Sequence, residues 1–102
     1  MYIAMNRFKI ALGREQEFIG IWRNRDSQLH SVDGFESFSL IQGESNETYT
    51  LMASHVIWRD KAAFDAWLKS DAFKQAHANA GKSRPEGLYL GPPQFEGFSS
   101  VL

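Results

Sequence analysis

The chain has 102 residues, which is enough for one hydrophobic core, so we expect residues 1–102 to form a single domain. Eleven Lys and Arg residues against twelve Asp and Glu residues leave a net charge of −1, which argues against a general nucleic-acid binder. The absence of cysteine excludes disulfides and thiolate sites, and no apolar stretch is long enough to span a bilayer. Charged residues come too early for a signal peptide, so we expect a cytoplasmic protein with no nucleic-acid or membrane partner.

The first third of the chain predicts a strand followed by a long helix. Period-two alternation over residues 1–12 puts Asn6 on the face that also carries Phe8, and Gly13 ends the strand. Helical spacing continues over residues 14–30, with acidic residues in the first turn. The apolar stripe of this helix consists of Phe18, Ile21, Trp22 and Leu29.

The rest of the chain predicts a hairpin, two consecutive helices and a last strand. Strands over residues 35–41 and 48–58 enclose a polar loop over 43–47, and helices follow over 61–69 and 71–80. A Gly- and Pro-rich loop over 81–93 could act as a lid, and a strand follows over 94–102. Asp60 and Ser70 are suited to cap the two helices. The order β-α-β-β-α-β predicts a ferredoxin-like α+β fold, a four-stranded antiparallel sheet with its helices on one face.

The third predicted strand is apolar on both faces, which bears on assembly. One face carries Tyr49, Leu51 and Ile57, and the other carries Met52, Val56 and Trp58. Two helices can cover only one face of a four-stranded sheet, and the other is too apolar to meet water comfortably. A second copy of the sheet is the simplest cover, so the pattern predicts a homodimer.

Three histidines are candidates for chemistry, but they are too scattered for a metal motif. We interpret His30 as a surface cap and His55 as a core or interface residue. His77 shares an apolar helix face with Phe73 and Ala76, and small alanines leave room beside it for something large and flat. Spacing alone leaves both readings of His77 open, and slightly favours a structural histidine over a ligand.

Two further residues have both a structural and a functional interpretation. Asn6 lies on the face predicted to lie under the helices, where a buried amide must bond to backbone, water or a ligand. The residue pattern alone favours backbone or water. Trp67 shares a helix face with Phe64, which is typical of a core residue but also suits a wall against a planar ligand.

Taken together, Asn6, Trp67 and His77 resemble the antibiotic-biosynthesis-monooxygenase-like family, and more narrowly its haem-degrading, IsdG-type branch. The likeness covers most of the chain and includes Asn6-Arg7-Phe8, Gly34-Phe35, Phe38, Gly43, Trp58, Phe64, Trp67, Ser70, Phe73 and Ala76-His77. The resemblance implies that the three residues form an active triad. It also implies a ferredoxin-like fold and a dimer whose two sheets close into an α+β barrel.

The activity implied by the resemblance is a haem-degrading monooxygenase, with haem as both cofactor and substrate. His77 would be the proximal ligand of the iron, Asn6 would donate a hydrogen bond to bound oxygen, and Trp67 would push the ring out of plane. The dry wall would be completed by Phe8, Phe64 and Phe73. Dioxygen and an external electron donor are required, because nothing in the sequence resembles a flavin or nicotinamide site. The products would be an open tetrapyrrole and free iron.

Two alternatives remain open at this point. A cofactor-free monooxygenase of polycyclic phenols or quinols would use the same fold without needing His77. A non-enzymatic haem-binding or haem-transfer protein would keep His77 but have little use for Asn6 or Trp67. Cations that could meet haem propionates, each interpreted as a solvated surface charge, are Arg23, Arg25, Lys82 and Arg84.

Overall fold

The computed structural model describes residues 1–25, 28–80 and 85–102, with the side chains of all of these except residues 78–80. Its elements are β1 (Tyr2–Ala11), α1 (Glu15–Arg23), a 3-10 turn (Leu29–Ser31), β2 (Phe35–Ser45), β3 (Tyr49–Trp58), α2 (Lys61–Leu68), α3 (Asp71–Ala80) and β4 (Gln94–Ser99). The strands form one antiparallel sheet in the order β2-β3-β1-β4. The ferredoxin-like α+β prediction is confirmed.

The register around β1 decides which residues share each face of the sheet. Asn6 lies directly opposite Ser54 on β3 and Phe95 on β4, and all three face the helices. Met5 lies opposite His55, and this pair belongs to the face that the helices leave open. The predicted position of Asn6, under the helices, is therefore confirmed.

The first helix is shorter than its apolar spacing predicts. It ends at Arg23, and Gln28 adopts a left-handed backbone with φ of 55°, which a right-handed helix cannot contain. The prediction of a helix to residue 30 was therefore wrong. Phe18 and Trp22 belong to the stripe as predicted, but Leu29 is buried from the 3-10 turn instead.

The strand ends also differ from the predicted ones. Residues 43–45 were predicted as loop but continue β2, and Ser45 pairs with Thr50. The turn is tight because the Asn46 side chain accepts the backbone N–H groups of Thr48 and Tyr49 at 2.7 and 2.8 Å. The last strand ends at residue 99 rather than 102. Both misjudged strands lie at the edges of the sheet, where polar composition does not distinguish strand from loop.

Both predicted helix caps are present. Asp60 Oδ1 accepts the N–H of Ala63 at 2.8 Å, and Ser70 Oγ accepts the N–H of Phe73 at 3.1 Å. The Ser70 hydroxyl also donates to the carbonyl of Trp67 at 2.6 Å. Ser70 therefore joins the end of α2 to the start of α3.

Two hydrophobic clusters lie between the sheet and the helices. The closed cluster consists of Ile10, Phe18, Met52 and Leu88. The cavity-side cluster consists of Tyr2, Ala4, Leu29, Trp58, Ala63 and Phe64. Leu88 comes from the segment predicted as a lid, but its side chain is fully buried. Its carbonyl accepts the N–H of Ala11, and the N–H of Leu90 donates to the carbonyl of Lys9. The segment around Leu88 is thus part of the core rather than a lid, and residues 81–84 lie outside the described part.

Candidate functional site

A cavity of about 380 Å³ opens between the helix-covered face of the sheet and helices α2 and α3. Its volume lies within the range of small-molecule sites. Its lining includes every residue that the sequence analysis assigned to the site, namely Asn6, Phe8, Phe64, Trp67, Phe73 and His77. The fold thus brings together a set that is spread over 72 positions of the sequence.

One wall of the cavity is a run of flat rings that ends at the imidazole. Trp58 and Trp67 lie with ring centroids 5.5 Å apart, and Phe73 meets Trp67 edge-on at 4.7 Å. The imidazole of His77 follows at 4.0 Å from the ring of Phe73. The indole N–H groups of both tryptophans are buried without a hydrogen-bond partner among the described residues. This wall suits a broad apolar ligand.

His77 lies at the exposed rim of the cavity on α3, and one of its ring nitrogens is already occupied. Nδ1 lies 3.2 Å from the carbonyl oxygen of Phe73, one helical turn back. A carbonyl can only accept, so this hydrogen bond requires the proton on Nδ1. In the neutral ring, Nε2 then keeps its lone pair and is the nitrogen available to a metal. The backbone partner of this imidazole could not be read from the sequence.

The floor of the cavity contains two polar side chains in an otherwise apolar surface. Asn6 and Ser54 come from adjacent strands, and neither side chain makes a hydrogen bond within the described structure. Ser54 is only 4% exposed. The sequence analysis missed Ser54, although alternation with Met52 and Val56 on the same strand could have placed it on this face.

Arg25 lines the cavity, so its interpretation as a solvated surface charge was wrong. Its guanidinium stacks 4.0 Å from the ring centroid of Trp22, and burial lowers the pKa of the side chain. Of the described residues in the lining, Arg25 is the one with a fixed charge. Arg23 is exposed as predicted. The remaining two candidate cations, Lys82 and Arg84, lie outside the described residues.

Further aromatic residues of the lining were also missed. Phe38 stacks on Trp22 with centroids 5.6 Å apart, and Phe95 stacks on Phe64 at 5.6 Å. Tyr89 completes this part of the lining. Strand alternation places Phe38 and Phe95 on the helix-covered face, but it does not show that they border a cavity.

The other two histidines lie away from this cavity. His55 is on the opposite face of the sheet, and His30 packs edge-on against Phe35 in the 3-10 turn region. Within residues 1–25, 28–80 and 85–102, no three His, Asp or Glu side chains are grouped as metal ligands. In the same part of the chain, no helix is long and apolar enough to cross a membrane.

Comparison with known proteins identifies a family and its relatives. Residues 1–79 match the family described as antibiotic biosynthesis monooxygenase. A haem oxygenase (staphylobilin-producing) 1 of Staphylococcus aureus strain Newman is 30% identical over 76 residues, which are 74% of this chain and 70% of that protein.

Solved structures share the fold. MhuD, in a variant with two manganese protoporphyrin IX molecules bound per active site, superposes with a TM-score of 0.72 at 22% identity, covering 100% of this chain and 96% of that one. SnoaB, a cofactor-independent oxygenase from Streptomyces nogalater, gives a TM-score of 0.67 at 20% identity, covering 99% and 93%.

Proposed function

We propose that this chain, which belongs to the antibiotic biosynthesis monooxygenase family, is a haem-degrading monooxygenase. The observation that carries the proposal is the state of His77 at the rim of an apolar cavity. Its Nδ1 is held by the Phe73 carbonyl, which leaves Nε2 free as the single imidazole ligand that haem proteins commonly use. The relationship to a haem oxygenase at 30% identity supports the same conclusion.

The lining fits haem in shape and in charge. Flat rings along α2 and α3 offer stacking surface to a macrocycle, and His77 stands at the end of that run of rings. Arg25 places a positive charge in the lining, which complements an acidic ligand such as the propionates of haem. A polycyclic phenol would use the rings but would leave His77 and Arg25 without a role.

Bound haem supplies the iron at which dioxygen is activated and is also the ring that is opened, with electrons from an external donor. His77 positions the ligand and must be neutral to do so, because a protonated imidazole has no lone pair to offer. Asn6 lines the floor of the cavity, where its amide would be able to donate a hydrogen bond to a small acceptor. From α2, Trp67 would offer its indole face to the macrocycle and favour a distorted ring, and the walls of Phe8, Phe64 and Phe73 would exclude water.

We also propose that a second copy of the chain covers the open face of the sheet. That face carries Ile3, Met5, Leu51, Ile57 and Phe98, and Phe98 is 46% exposed. Burying such a surface against its copy is favourable by the usual apolar term. Light scattering at low micromolar concentration should give twice the chain mass, and a clean monomer would remove this part of the proposal.

Haemin titration of the purified protein tests the proposed function directly. We expect one haem per chain with the absorption spectrum of a histidine-ligated iron. His77→Ala should abolish or greatly weaken that spectrum, whereas the matched variants His30→Ala and His55→Ala should leave it unchanged. Loss of the spectrum in His55→Ala would show that the ligand has been misassigned.

Turnover separates the oxygenase from the two alternatives. With a reductant, air and catalase, the Soret band of the wild-type complex should decay within minutes to hours. A ferrous chelator should trap the iron that is released. A stable haem complex under these conditions would favour a haem carrier. Failure to bind haem at all would favour a cofactor-free oxygenase.

A further inference from the structure

We infer that the hydroxyl of Ser54 and the amide of Asn6 together hold one small hydrogen-bond acceptor on the floor of the cavity. The acceptor would be the oxygen ligand on the sheet side of the bound ring, so this inference rests on the proposed function. Ser54 is then a binding residue for that ligand in its own right. The two side chains act as a pair because neighbouring strands present them at one point.

The register of the sheet puts both polar groups within reach of one small ligand. Asn6 and Ser54 are direct partners in the antiparallel pairing of β1 with β3. Side chains in such a pair leave the sheet on the same side, with Cβ atoms about 5 Å apart. An acceptor above the midpoint can therefore meet a donor from each strand.

The neighbours of Asn6 and Ser54 on this face of the sheet offer their side chains no hydrogen-bond partner. On the same face, the next residues along β3 are Met52 and Val56, and those along β1 are Ala4 and Phe8. All four are apolar. The Ser54 hydroxyl is in a residue that is 96% buried, yet it makes no hydrogen bond within the described structure. The hydroxyl lines the cavity and has no partner in the described part of the protein, so it is available there to a ligand or to water.

Thr50 shows what a structural hydroxyl looks like on the same strand and face. It is fully buried, and its Oγ1 lies 2.6 Å from Ser45 Oγ and 3.2 Å from Glu15 Oε1. Both partners belong to the protein, and Thr50 does not line the cavity. Ser54 lies four residues further along the same strand. The Thr50 hydroxyl is bonded within the protein and supports the fold, whereas the Ser54 hydroxyl faces the cavity.

Fluoride binding to the ferric haem complex tests the pair without relying on turnover. Fluoride is small and accepts strong hydrogen bonds, so its affinity reports donors at the position of the oxygen ligand. We expect Ser54→Ala to weaken fluoride binding about tenfold, because one hydrogen bond to an anion is worth at least that factor. Ser54→Thr keeps the hydroxyl and should stay within about twofold of wild type. Asn6→Ala should weaken fluoride binding by a similar factor.

Thermal unfolding of the haem-free protein supplies the matched control. Ser54→Ala should leave the melting temperature unchanged or raise it, since a hydroxyl without a protein partner is removed. Thr50→Val should lower the melting temperature but leave fluoride affinity unchanged once haem is bound. If Ser54→Ala melts as early as Thr50→Val, the Ser54 hydroxyl is structural and the inference is wrong.

The remaining outcomes separate this inference from the proposed function. Unchanged fluoride affinity in Ser54→Ala, together with weaker binding in Asn6→Ala, would overturn the pair while leaving haem degradation intact. Failure of the wild-type protein to bind haemin would overturn both.

Discussion

The closed cluster and the cavity-side cluster lie at opposite ends of the same sheet face, and they use their aromatic residues differently. In the closed cluster, Ile10, Phe18 and Leu88 are completely buried, and none of them borders the cavity. In the cavity-side cluster, Trp58 and Phe64 are buried as well, yet both line the cavity. Similar side chains therefore pack the core at one end and line the cavity at the other.

The difference comes from what covers each end. At the closed end, Phe18 of α1 packs against the sheet, and Leu88, from the segment after residue 84, is buried beside it. At the other end, α2 covers the sheet with Phe64, while Ser70 joins it to α3. The cavity lies between these two ends. We expect substitutions at the closed end to reduce stability, and substitutions in the wall of the cavity to reduce turnover.

Truncation in the closed cluster should have the largest effect on stability. Phe18 is fully buried and contacts both Phe8 and Tyr89. Phe18→Ala should lower the free energy of unfolding by about 3–5 kcal/mol, measured by urea denaturation, because it leaves a cavity in a packed core. A loss below about 1 kcal/mol would show that this end is not the stabilising core.

Adding a methyl group at Gly34 should have the next largest effect, at the cavity-side end. Gly34 has φ of +84°, and a Cβ there would overlap the Cβ of Ala63. Gly13 has nearly the same φ, +82°, but nothing lies near its Cβ. Gly13→Ala should cost about 1 kcal/mol of unfolding free energy from backbone strain alone, and Gly34→Ala should cost more.

A double variant isolates the steric part of the Gly34 effect. Ala63→Gly removes the atom that a new methyl group at position 34 would meet. Relative to Ala63→Gly alone, adding Gly34→Ala should then cost no more than Gly13→Ala does. Equal losses for the two single glycine variants would contradict the predicted overlap.

Substitutions in the ligand surface should reduce turnover more than they reduce haem binding. Under the proposed function, Asn6→Ala and Trp67→Ala should still bind haem through His77, because neither side chain holds the iron. Each should slow haem degradation at least about tenfold, which corresponds to about 1.4 kcal/mol of activation free energy. The measurement is the decay of the Soret band with reductant and air. Turnover at the wild-type rate in both variants would mean that these residues only fill space.

The smallest effect we predict is a pH dependence at the start of α2. The N–H of Ala63 donates to Asp60 and holds the pKa of that carboxyl below its usual value. The contribution of this carboxylate to the stability of the folded protein is therefore fully present above its pKa in the unfolded chain, about 3.9. That contribution is lost as the pH falls through the lower pKa of the folded protein. Asp60→Asn retains an acceptor for the cap without a titrating carboxyl.

The melting temperature as a function of pH measures this contribution. As the pH is lowered below about 4, the melting temperature should fall further in the wild-type protein than in Asp60→Asn. Glu15 and Glu17, whose pKa values are also lowered, remain in both proteins. Parallel curves for the two proteins would show that the Asp60 carboxyl contributes nothing that depends on pH.

Much of the candidate site follows from local patterns in the sequence. Strand alternation placed Asn6 under the helices, and helix spacing put His77 on one face with Phe73. The caps at Asp60 and Ser70 could be predicted because a short polar side chain satisfies the first N–H groups of a helix wherever that helix packs. These features depend on neighbours within a few residues, so the order of the residues is sufficient to determine them.

Other features depended on the tertiary structure because they join distant parts of the chain. Leu29 has helical spacing but reaches the core from a 3-10 turn, and Leu88 enters the core from a segment that composition marks as loop. Arg25 lines a cavity whose other walls come from distant elements such as α2 and α3, and Ser54 meets Asn6 only through the pairing of β1 with β3. Local periodicity sets the face of an element on which a side chain lies. Which other element covers that face, and whether a cavity remains, is decided only when the whole chain packs.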